Sequence, residues 1–151
     1  MTQSEIKTAL QQHIKAAMKS GEKDKLGVLR LISAAFKQRE VDERVELDDA
    51  ACVAILDKMA KQRRESIEQY QAAGRDDLTQ VEQKELAIIQ DYLPQALSDS
   101  EINAAIDEAI SSTGATGIRD MGKVMGLLKP KLQGRADMSA VSSLVKTRLN
   151  G

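Results

Sequence analysis

Tryptophan is missing from the 151 residues, and the only phenylalanine and tyrosine rings are Phe36, Tyr70 and Tyr92. A chain so poor in exposed rings is not a base-stacking platform for single strands. Its core must be built from Leu, Ile, Val, Ala and Met. Cysteine occurs once, as Cys52, which excludes a disulfide framework and a thiolate zinc site. Set among Ala51, Val53 and Ala54, it reads as a small buried apolar residue. His13 is the single histidine; it falls one position off an apolar stripe, and no ligand or catalytic role is expected of it. No run approaches the roughly 18 apolar residues a spanning helix needs, and the N-terminus has no long apolar segment. The expectation is a cytoplasmic protein without a membrane partner. Net charge is −1, so the molecule is no polycation, and nucleic-acid affinity must come from a local patch. GxSxG, HExxH, P-loop and dinucleotide patterns are all missing. The chain therefore reads as non-catalytic, with no cofactor and no metal.

What is present is helical periodicity almost throughout. A first helix is expected from about Gln3 to Ser20, opened by a Thr2/Glu5 capping box with Met1 and Ile6 as a staple, and closed by Gly21. Ile6, Leu10, Ile14 (with Ala17) and Met18 make its stripe at spacing four. A second runs from an Asp24 cap to about Val41, with Leu26, Leu29, Ile32 and Phe36 inward. A polar loop follows over residues 42–46. The longest helix spans about Asp49 to Ala73, before Gly74. It carries Lys58, Lys61, Arg63 and Arg64, a basic segment read either as a solvated face or as a partner-binding one. Thr79 and Glu82 suggest the cap of a fourth helix reaching Tyr92, with Val81, Leu86, Ile88 and Ile89 as its apolar positions. Pro94 must break it and marks a domain boundary, dividing residues 1–93 from 94–151.

Beyond Pro94, Ser98 and Glu101 form a capping box with Leu97 and Ile102 as staple. The helix they open bears acidic charges only and ends in a loop over 111–117. A sixth helix, from Ile118 or Arg119, places Ile118, Met121, Val124, Leu128 and Leu132 on one stripe. Arg119, Gly122, Lys123, Gly126 and Lys129 occupy another face. Glycine inside a helix costs about 1 kcal/mol relative to alanine. A pair at spacing four clears a flat strip that a neighbouring helix or a phosphodiester chain can approach. Pro130 should kink or end this helix near Lys129. Gly134 turns the chain, and Asp137 caps a last helix, Met138 to Leu149. From residue 115 onward seven basic residues face two acidic ones, a local balance of +5. A surface of this kind neutralises phosphates.

Several ordered motifs then resemble the GatB/YqeY family. They are Arg64-Glu65-Ser66-Ile67-Glu68, Ala73-Gly74-Arg75, Tyr92-Leu93-Pro94, Gly122-Lys123-Val124-Met125 and Gly134-Arg135-Ala136-Asp137. The likeness covers essentially the whole chain, and its C-terminal half resembles the tail domain of the glutamyl/aspartyl-tRNA amidotransferase B subunit. The resemblance implies an all-α protein of about seven helices, an N-terminal helical bundle followed by a three-helix tail domain. It implies tRNA or a tRNA-handling enzyme as partner. A label of carbon–nitrogen ligase with glutamine as amido-N-donor follows by homology only, because the amidotransferase's catalytic domains have no counterpart here. Arg119, Gly122, Lys123, Gly126, Lys129, Lys131 and Arg135 are the positions expected near RNA. The alternative is a helical adaptor acting through Lys58, Lys61, Arg63 and Arg64.

Overall fold

The computed structural model describes residues 4–150. Among them are seven α-helices and no strand, an all-α fold. The chain divides at Leu93–Pro94 into two compact units, each with its own apolar core.

The first unit holds α1 (Glu5–Ser20), α2 (Lys23–Glu43), α3 (Asp49–Ala72) and α4 (Asp76–Gln90). Ser4 caps α1, its hydroxyl accepting from the Lys7 N–H at 3.1 Å. The expected Thr2 cap and Met1 staple lie outside the described residues. Ser4 Oγ also donates to Asp49 Oδ1 at 2.5 Å, and the same oxygen accepts from the Ile6 N–H at 3.1 Å. The start of α1 is thereby pinned to the start of α3. Gly21 ends α1 at φ 74°, a conformation cheap only for glycine.

Leu10, Leu29, Ile32, Leu56 and Ile89 are fully buried in this core, each contributing about 1.5–3 kcal/mol on leaving water. Of the expected stripe Ala17 is buried, but Met18, placed there by spacing four, is 56% exposed. The helix repeats every 3.6 residues, so steps of four drift off the buried face. Val81 is exposed as well. α2 runs two residues past Val41 and ends on Arg44 at φ 54°, the single non-glycine in the left-handed region among the described residues. α4 begins at Asp76, before Thr79. That threonine is buried inside the helix, and its hydroxyl donates to the Arg75 carbonyl at 3.0 Å.

Glu40 joins three segments. Its carboxylate accepts from Lys7 Nζ at 2.5 Å and from the Leu47 N–H at 3.0 Å, which ties down the α2–α3 loop where Leu47 is buried in the core. The Lys7 hydrogen bond, then the Leu47 one, hold the Glu40 carboxyl below the usual carboxylate range. A depressed carboxyl stabilises the fold above its unfolded pKa, about 4.3, and loses that contribution as pH falls through the folded value. Glu40→Gln is expected to cost about 1–2 kcal/mol at neutral pH. The gap from the unsubstituted protein should close below about pH 4. Urea denaturation across that range measures it, and a gap that does not depend on pH would refute the assignment.

The second unit holds α5 (Asp99–Thr113), a 3-10 turn (Ile118–Asp120), α6 (Met121–Leu132) and α7 (Met138–Asn150). The Ser98/Glu101 capping box is formed in both directions. Ile106, Val124, Leu128, Leu132, Val141 and Val145 close the core. α5 continues through Thr113, into the expected loop. α6 starts after the 3-10 turn, and Ile118 is exposed, off the stripe. Pro130 does not end α6. It sits in the last turn, and the residue whose carbonyl loses its helical donor, Gly126, is exposed.

Candidate nucleic-acid interface

α6 buries Val124, Leu128 and Leu132 and turns the other side to solvent. At roughly 100° per residue, Gly126 and Lys129 fall within about 40° of Gly122, and Lys123 lies about 100° round on the flank. All four are exposed. A Cβ built on Gly122 or Gly126 meets nothing within 4 Å, and neither glycine has a positive φ. Neither packing nor backbone conformation asks for glycine at these two positions. What results is a bare backbone strip, with Lys129 along it and Lys123 beside it.

The other expected residues are placed differently. Arg119 is exposed in the 3-10 turn, next to Asp120, whose carboxylate accepts from the Thr116 N–H at 3.0 Å. That hydrogen bond holds the Asp120 carboxyl low, with a further contribution from Lys123 and Arg119. Lys131 is exposed but lies roughly half a turn from Gly122, off the strip. Arg135 is half-buried; its Nε donates to the Gln95 carbonyl at 3.0 Å, and its own carbonyl accepts from the Leu97 N–H at 2.9 Å. This arginine closes the turn at Gly134 (φ 81°) against the segment leading into α5. Arg148 is drawn into an ion pair with Asp107 of α5 and donates to Asn103 at 3.2 Å. The surplus of positive charge over acidic α5 is thus partly spent inside the unit.

The basic segment of α3 divides too. Lys58 and Lys61 are exposed, and Lys58 borders a cleft of 280 Å³ floored by Ala35, Ile55 and Met59. Arg63 turns the other way and pairs with Glu85 of α4 at 3.4 Å, both side chains largely covered. Arg64 is half-buried.

One pairing has no local signal in the sequence. His13 Nδ1 lies 2.5 Å from the Tyr92 hydroxyl, with ring centroids 5.5 Å apart and planes inclined at 55°. The partners are 79 residues apart. Burial, and then the charge of Asp91, push the Tyr92 phenol up to about 12, so it keeps its proton at neutral pH.

Several curated relatives carry the description "Altered inheritance of mitochondria protein 41, mitochondrial". The protein of Pyrenophora tritici-repentis is 31% identical over 91% of this chain and 77% of its own length. That of Eremothecium gossypii is 38% identical over 70% of this chain, and that of Meyerozyma guilliermondii 32% identical over 79%. The matched regions make up 62% and 64% of those two proteins. These names overturn the cytoplasmic expectation. The relatives are mitochondrial proteins, and the lack of a long apolar run argues only against a membrane-spanning helix, which is a different matter from compartment. The model of the family described as "Yqey-like protein" matches residues 7–149. With nearly the whole described chain matched, this protein belongs to the Yqey-like family.

Proposed function

We propose that this protein is a non-catalytic binding module for folded RNA, of the tRNA class, serving a tRNA-handling enzyme. The observation that carries the reading is the open strip at Gly122 and Gly126 with Lys123 and Lys129 around it. A glycine that neither packing nor φ requires still costs the helix about 1 kcal/mol. An external backbone approaching closer than a methyl group would allow gives that cost a purpose. The lysines supply the charge for phosphates, and the scarcity of rings favours recognition by shape over base stacking. Arg119, exposed in the turn just before α6, would supply a third cation, whereas Lys131 and Arg135 are not part of the strip. The adaptor reading has less support, since Arg63 is engaged with Glu85.

A titration with bulk tRNA across a salt series tests the proposal. Three phosphate contacts predict a log–log slope of about −2 to −3. Lys123→Ala and Lys129→Ala should each flatten it by about 1, and Lys131→Ala should leave it nearly unchanged. Lack of binding at low salt, or a slope unmoved when Lys123→Ala and Lys129→Ala are combined, would overturn the reading.

A further inference from the structure

Apart from the α6 strip, the first unit carries a cleft of 310 Å³ between α1, α2, α3 and α4. Its apolar lining comes from Ile6, Ala9 and Ile88, and the Tyr92 ring, held by His13, forms a wall. Three carboxylates line it, Glu5, Asp49 and Asp91, against one lysine, Lys25. Among the described residues, no ion pair joins Lys25 to any of them. Asp49 is occupied by the Ser4 hydroxyl and the Ile6 N–H. Glu5 and Asp91 are exposed at the surface and enter no ion pair with a described residue.

We propose that this cleft is a binding site for a small aliphatic ammonium ion. The argument rests on how three kinds of surface meet. Methylene groups leave water against Ile6, Ala9 and Ile88, a gain proportional to the area covered. An ammonium head meets the uncompensated carboxylates at the mouth. Tyr92 adds an aromatic ring to the lining, whose quadrupole attracts a cation placed over it, and the hydrogen bond to His13 restrains that ring. An anion is disfavoured by the excess carboxylates, and a purely apolar ligand would leave them unpaired. The cleft is also at the small end of the range for organic ligands, about 300–1,000 Å³. That size suits one extended chain such as a free polyamine, or one lysine side chain of another protein. The two sources share the alkylammonium, and length separates them, because a polyamine offers a second charge to Asp91 or Glu5 and a lysine side chain does not.

The experiment uses the full chain carrying Tyr70→Phe, so that Tyr92 is the only tyrosine left to emit. Spermidine, N-acetyl-lysine methylamide and uncharged hexanediol are titrated separately, reading Tyr92 emission and the His13 ring resonances. Spermidine should give a saturable change in both signals. Glu5→Gln together with Asp91→Asn should weaken it roughly tenfold. Both residues are exposed, so the fold should survive, which circular dichroism verifies. Equal binding of the lysine amide would assign the site to a protein side chain, and much weaker binding would assign it to free polyamines. The proposal fails if neither amine saturates, if hexanediol acts as well as spermidine, or if the double variant binds unchanged.

Discussion

Leu128→Ala is expected to unfold the second unit while the first keeps its helices. Leu128 is fully buried among Ile106, Val124, Leu132, Val141 and Val145. Removing it loses the transfer energy of the side chain and leaves a cavity, together about 2–5 kcal/mol. A helical unit this small has roughly 3–5 kcal/mol to lose. Since each unit has its own core, thermal circular dichroism should show part of the helical signal melting early, and the remainder at the temperature of the unsubstituted protein. Leu127→Ala, one residue earlier and 42% exposed, should be nearly neutral. A single transition moving as a whole would show that the units do not melt separately.

The opposite sign is expected one face round the same helix. Gly122→Ala with Gly126→Ala should stabilise the second unit by about 1–2 kcal/mol, because alanine restricts the unfolded chain and the added methyls meet nothing. For a unit of this size, each kcal/mol raises the melting temperature by about 4–8 °C. On the proposed reading, the same variant should lose about tenfold or more in tRNA affinity, because two methyl groups now stand where a sugar–phosphate backbone must come close. Gly27→Ala provides the comparison. Gly27 is also in a helix with open space above it, in α2, and its substitution should stabilise the protein without touching RNA binding. Stabilisation with unchanged affinity in the double variant would remove the strip from the interface.

Local chemistry was legible in the sequence where the physics is local. Ser98 and Glu101 satisfy each other's backbone across three residues, and nothing distant competes. The same pattern at Thr79 misled, because a threonine hydroxyl can also return to the carbonyl four residues back. The better signal for the start of α4 was Asp76 and Asp77 at the positive end of the helix dipole. Ile118 misled for another reason: the N–H of Asp120 bonds to Gly117 at 3.0 Å, tightening the chain into a 3-10 turn that changes the phase before α6. In the candidate site, Gly122, Lys123, Gly126 and Lys129 share one unbroken helix, so their angular positions could be computed. Lys131 follows Pro130, where a kink or an end of the helix breaks the phase, so spacing alone does not place it. The Arg135 bond to Gln95 spans 40 residues, and the His13–Tyr92 contact spans 79. Period and spacing carry no information about such pairs.

Cys52 is fully buried beneath α1, its sulfur 3.6 Å from the Ser4 hydroxyl. Burial raises the thiol pKa, so the little thiolate that forms is also screened from reagents. The chain thus contains its own clock. A thiol-alkylating reagent can act only when the first unit opens, and the pace of labelling would time that opening with no engineered probe.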